Sequence, residues 1–310
     1  MVLAASGLGD PPGARAAEAG AGPLRERLME RRAERRAERR ADVVRVPEGV
    51  RVLRDLAYGS DPRQVVDVYR PVRPTKDAPV IVMVHGGGWR TGDKASARVI
   101  ENKIERWVPR GIVVVSVDYR LLPVPLEQQR DDVRAAIAFV QRKAAEWGAS
   151  GDRLVLMGHS AGAHLVDLIN ASAGVPAQRS LRPWLGTVSL DSAALDVPAL
   201  MKRRHAKLYD DAFGTDPQRW AALSPMQQLT AAATPMLLAC STKRNDDPCE
   251  ESRRFAGHAE RLGVRAEVLP RSLSHAEMNA QVGAPGAYTR RIEAFLSSLD
   301  RSLADALAAR

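Results

Sequence analysis

The stretch that most constrains this chain is Leu154-Val155-Leu156-Met157-Gly158-His159-Ser160-Ala161-Gly162-Ala163-His164-Leu165. A short apolar run leads into Gly-x-Ser-x-Gly, and a small-residue, helix-like segment follows. That order reads as strand, sharp turn, helix, with the serine at the tip of the turn and its hydroxyl exposed. Gly158 and Gly162 each lie two residues from Ser160. Side chains there would keep the strand and helix from closing around the turn. Five-residue patterns of this kind recur by chance, so the reading depends on what the rest of the chain supplies to a serine nucleophile.

The flanking pattern predicts alternating strands and helices. Residues 51–58 and 64–70 read as two strands joined by Gly59-Ser60-Asp61-Pro62, a turn cluster. Further apolar strands are predicted over 79–85, 112–117, 153–157, 185–190, 236–240 and 265–269. Helices are predicted between the glycine loop and Pro109, over 127–147 and 250–262, and from Ala287 onward. Ile100, Ile104 and Trp107 share one face, as do Val133, Ile137 and Val140, the spacing of an amphipathic helix. Such alternation predicts an α/β domain: a mainly parallel sheet with helices on both faces and an N-terminal antiparallel hairpin. Residues 191–233 carry no regular pattern, and the segment is too short for a large inserted cap domain.

Residues 1–42 differ in composition. The first 22 are rich in Gly, Ala and Pro and read as a disordered lead. Glu recurs at 26, 30, 34 and 38 among arginines, which predicts a solvated helical extension with i,i+3 ion pairs, with a partner-binding arm or a lid as the alternative. Residues 43–310 are read as one catalytic domain. The formal charge of +9 is spread through the chain without a clustered basic face or a recognisable module, so no nucleic-acid partner is expected. No apolar run is long enough to span a membrane, and none is expected as a partner. The two cysteines, Cys240 and Cys249, read as ordinary thiols, with a local bridge between them as the alternative, and their small number suggests a cytoplasmic location.

A serine nucleophile needs a general base, an acid to orient it, and donors for the developing oxyanion. Of six histidines, His85 and His159 precede the serine in the strand and loop geometry. His164 lies one helical turn beyond it, and His258 sits mid-helix. His275 follows the last predicted strand and is the expected base, with His205 as its main competitor. The acid is expected between the serine and the histidine, after the strand 236–240. Asp246 is the first choice there and Asp247 the alternative; Asp191 and Asp196 follow an earlier strand and fit less well. His85-Gly86-Gly87-Gly88-Trp89 follows a buried strand. The predicted oxyanion donors are the N–H groups of Gly87, Gly88 and Ala161. Trp89 is a candidate for the substrate pocket and equally for the core. Histidines without ligand spacing give no reason to expect a metal, and no organic cofactor is expected.

His85-Gly-Gly-Gly-Trp89, Asp118-Tyr-Arg-Leu-Leu-Pro123, Gly158-His-Ser-Ala-Gly162 and the later Asp-Asp-Pro and Leu-Ser-His segments, in this order, resemble the α/β-hydrolase superfamily. The nearest branches are the hormone-sensitive-lipase-like esterases and the kynurenine formamidase-like hydrolases. The resemblance runs from about Leu53 to Leu299 and implies a triad of Ser160, Asp246 and His275. The acid loop departs from the family pattern, with Lys243-Arg244-Asn245 where many relatives carry Gly-x-x-Asp. The implied activity is that of a carboxylesterase-type serine hydrolase, acting on a small-molecule ester of small or aromatic type through an acyl-enzyme. The alternative is an arylformamidase cleaving an N-formylkynurenine-type amide. A non-catalytic binding module of the same fold is the third reading.

Overall fold

A computed structural model describes residues 44–73, 75–174, 181–192 and 194–308. The readings made for residues 1–42 lie outside the described residues. Eight strands form one sheet: β1 (Val50–Ala57), β2 (Val65–Pro71), β3 (Ala78–Val84), β4 (Val113–Val117), β5 (Ala149–His159), β6 (Gly186–Leu190), β7 (Met236–Ser241) and β8 (Ala266–Arg271). Their spatial order is β1-β2-β4-β3-β5-β6-β7-β8. β1 with β2 and β2 with β4 pair antiparallel, and every other neighbouring pair is parallel. All eight strands predicted from the sequence form, and the initial hairpin supplies the antiparallel edge.

The helices are α1 (Ala97–Trp107), α2 (Leu126–Lys143), α3 (Ala161–Ala171), α4 (Val197–Met201), α5 (Lys207–Phe213), α6 (Pro217–Ala222), α7 (Pro225–Gln228), α8 (Pro248–Arg261), α9 (Glu277–Ala280), α10 (Ala287–Ser297) and α11 (Arg301–Ala308). They divide between the two sheet faces because strand side chains alternate. In β3, Val80, Val82 and Val84 join a cluster with α2 and α3, through Val133, Ile137, Val140, Leu165, Val166 and Ile169. Ile81 and Met83 point the other way, onto Ile100, Ile104 and Trp107 of α1 and Ile292, Phe295 and Leu296 of α10. Burial on both faces explains why the central strands read as continuous apolar runs. Each such side chain contributes about 1.5–3 kcal/mol.

The unpatterned segment after β6 resolves into four short helices, α4 to α7. Three begin with proline in the first turn, and Asp196 and Asp216 cap the first two of these by accepting from Ala199 N and Gln218 N. At four to six residues each they are too short for a helical period to show in the sequence.

One expectation is corrected. Cys240 and Cys249 are joined by a disulfide, with Cα atoms 5.2 Å apart. The bridge ties the end of β7 to the first turn of α8 and closes the loop between them. The inference from free thiols to a reducing compartment therefore loses its premise. No described helix is long and apolar enough to cross a membrane.

Candidate active site

The parallel strands set the site. β5 is flanked by β3 and β6, so the residues following those three strands converge at one edge of the sheet. Ser160 follows β5 directly, with φ 54° and ψ −117°. Its backbone N–H donates to Leu190 O of β6 at 3.0 Å, and its carbonyl accepts from His164 N, starting α3. This left-handed turn works because the glycines leave no gap to fill. A Cβ on Gly158 would lie 2.4 Å from Gly162 O, and one on Gly162 would lie 2.3 Å from Val84 O.

His275 lies in the loop between β8 and α9. Its Nε2 is 2.9 Å from Ser160 Oγ, and its Nδ1 is 2.6 Å from Asp191 Oδ2. Asp191 is the first residue after β6. It is wholly buried, and its Oδ1 accepts from Ser241 N at 2.8 Å. Burial alone would raise the Asp191 pKa; the hydrogen bond from His275 and the charge of Arg244 outweigh it and hold the carboxyl below its usual range.

The aspartates expected from the sequence sit elsewhere. Asp246 is 47% exposed and pairs with Arg244. Asp247 has φ 50° and caps α8, accepting from Glu250 N. Neither is hydrogen-bonded to His275; the carboxylate that the structure sets against that imidazole is Asp191. The order of the strands explains the difference. β6 lies beside β5, and β7 lies one strand further away, which the sequence does not disclose. The available signal was an aspartate placed immediately after a buried strand.

Gly87 and Gly88 adopt φ 115° and 60° and line a cleft of about 530 Å³ together with Trp89, His159, Ser160, Leu208, Tyr209, Arg244, His275 and Ala276. Ala161 opens α3 beside Ser160. The glycine loop is fixed from behind. His85 Nδ1–H donates to Gly86 O at 2.7 Å, and its Nε2 lies 3.0 Å from Asp118 Oδ1. The imidazole stacks on Tyr119, whose hydroxyl donates to His85 O. Trp89 is both core and pocket. It is fully buried, meets His164, Tyr209 and Phe213 edge-on, and still borders the cleft.

Two residues unassigned by the sequence support the histidine. His159 Nε2–H donates to the carbonyl of His275 at 2.9 Å. Burial, and then the neighbouring His275, push the His159 pKa down to about 3, which keeps this donor neutral. Lys103 Nζ donates to Val99 O and to the carbonyl and side-chain oxygens of Asn279. It thereby ties α1 to α9, the helix that follows His275. His205, the competing base, instead pairs with Asp210.

The BD-FAE family model matches residues 66–181 of the chain. A probable isoprenylcysteine alpha-carbonyl methylesterase of Arabidopsis thaliana is 27% identical over 241 residues, covering 70% of this chain and 49% of that protein. The kynurenine formamidase of Salmo salar is 30% identical over 167 residues, covering 50% of this chain and 52% of that protein. The chain thus spans about half the length of these curated relatives. A solved thermophilic esterase of Thermogutta terrifontis superposes with TM-score 0.64 at 26% identity, over 82% of this chain and 95% of that one. Sheet order, strand–turn–helix geometry and these similarities converge: the chain has the α/β-hydrolase fold and is similar to esterases that share it.

Proposed function

We propose that the protein is a serine hydrolase that cleaves carboxylic esters of small or aromatic substrates through an acyl-enzyme. The observation that carries this reading is the hydrogen-bonded chain Ser160–His275–Asp191, at 2.9 and 2.6 Å, beside a glycine loop. Ser160 Oγ attacks the ester carbonyl while His275 Nε2 takes its proton. Asp191 holds the Nδ1–H tautomer and stabilises the imidazolium. Backbone N–H groups of Gly87, Gly88 and Ala161 face the developing oxyanion. His275 then protonates the departing alcohol, and water releases the acid from the acyl-serine. Trp89, Leu208 and Tyr209 give the cleft an aromatic and aliphatic wall suited to a small apolar or aromatic group.

A second reading, amide hydrolysis of an aryl formamide, is favoured by the similarity to a kynurenine formamidase. Both readings use the same serine. The test is a paired assay on a short-chain p-nitrophenyl ester and on N-formylkynurenine, with fluorophosphonate labelling of wild type and Ser160→Ala. Faster ester turnover, with labelling lost in the variant, is expected. Equal or faster turnover of N-formylkynurenine would overturn the order of the two readings. Absence of wild-type labelling would overturn both.

A further inference from the structure

Arg244 touches both the acid and the base of the candidate triad. Its Nη1–H donates to Asp191 Oδ2 at 3.0 Å, the same oxygen that His275 Nδ1 reaches at 2.6 Å. The guanidinium nitrogen is 3.3 Å from His275 Nδ1. Since Nδ1–H already donates to Asp191, that last contact sets two donors side by side over one acceptor. The other edge of the guanidinium is held by Asp246, through Nε to Oδ1 at 2.9 Å and through Nη2 to Oδ2. Arg244 is mostly buried, and the loop that carries it is pinned at both ends by the Cys240–Cys249 bridge.

We propose that Arg244 is a positioning residue of the hydrolytic site: held by Asp246, it fixes the Asp191 carboxylate against His275 and sets a permanent positive charge beside the imidazole. This rests on the serine-hydrolase reading above. A cation this close opposes formation of the imidazolium. The charge is set to favour passage of the proton from the imidazolium formed during attack to the leaving group. Asp246, the aspartate that the sequence offers as the acid, instead anchors this cation. Burial alone would lower the Arg244 pKa, but the carboxylates of Asp246 and Asp191 raise it well above its usual value, so the charge is constant across any assay range.

The other groups around the pair are few. His159, held neutral, lies with its ring centroid 4.7 Å from that of His275. Lys103 acts on His159, Tyr288 acts on Asp191, and Tyr209 and Asp246 flank Arg244. Glu277 accepts from Ser274 N in the same loop as His275. Of these, Asp246 loses its partner and Tyr209 a neighbouring charge in a neutral Arg244 variant, so a variant that keeps the charge is needed to assign a shift in the pH profile to the guanidinium.

The test is the pH dependence of kcat/KM from pH 4.5 to 9 on p-nitrophenyl acetate, a neutral ester, for wild type, Arg244→Gln, Arg244→Met and Arg244→Lys. Arg244→Gln and Arg244→Met are expected to move the acid limb up by about one pH unit. Arg244→Lys, which keeps the charge, is expected to leave it close to wild type. The second neutral variant carries the prediction if the first does not fold. An acid limb that stays in place in the neutral variants overturns the proposal. So does a rise in KM confined to carboxylate-bearing esters with no pH shift, which would make Arg244 a substrate contact. If wild type neither hydrolyses the ester nor takes a fluorophosphonate label, the serine-hydrolase reading fails instead.

Discussion

Three donors converge on the Asp191 carboxylate: Ser241 N, His275 Nδ1 and Arg244 Nη1. A buried carboxylate so supplied stays ionised. Asp167, also fully buried, has Ser189 Oγ as a donor, and burial pushes its pKa up to about 7. Its folded-state value lies above the ordinary one, so the folded protein keeps this proton longer. Its contribution to stability is fully present near pH 4 and declines as pH rises through about 7. Asp167→Asn should therefore raise stability at pH 8 by on the order of 1–3 kcal/mol and change it little near pH 4. Thermal melts at the two pH values check this, and equal shifts at both would contradict it. Residue types and chain order made Ser160 and His275 legible from the sequence. Asp191 was not, because its fitness depends on which strand lies next to β5, a long-range property. Arg244 and His159 were not, because each acts through a contact between loops that are far apart in the chain.

At the scale of elements, the turn between β5 and α3 leaves no space for a side chain. Gly162→Ala would drive a methyl to 2.3 Å from Val84 O and 2.4 Å from His85 O, both backbone atoms that cannot rotate away. A loss of about 3 kcal/mol or more is expected, measurable by urea unfolding; a change under 1 kcal/mol would show that the turn can open. The loop between β7 and α8 makes the opposite case, since a covalent bond closes it. Replacing Cys240 and Cys249 together by serine should cost about 2–3 kcal/mol. It should also loosen the segment that carries Arg244, so the acid limb of the pH profile follows the neutral Arg244 variants in part. Wild-type stability and pH profile in the double variant would contradict this. The strands were legible because each is an apolar run bounded by turn residues. The four short helices after β6 and the bridge were not: helices of four to seven residues are too short to show a period, and a nine-residue cysteine separation carries no distance.

At the scale of the whole molecule, among the described residues every side chain of the candidate site lies between His85 and Ala276, and the sheet that aligns them runs from Val50 to Arg271. Removal of residues 1–42 should therefore leave kcat/KM on a short-chain ester within about twofold; a tenfold loss would give that segment a part in the site. The parallel order β3-β5-β6 brings the glycine loop, the serine turn and the acid to one edge, and β8 returns the chain with His275. The central claim is that Asp191, and not Asp246, is the acid of this constellation. It is tested most directly by kcat/KM on a p-nitrophenyl ester at pH 7.5 for Asp191→Asn and Asp246→Asn. We predict a loss of about 10³–10⁴ for Asp191→Asn and less than about tenfold for Asp246→Asn; a crippled Asp246→Asn beside an active Asp191→Asn would contradict the account.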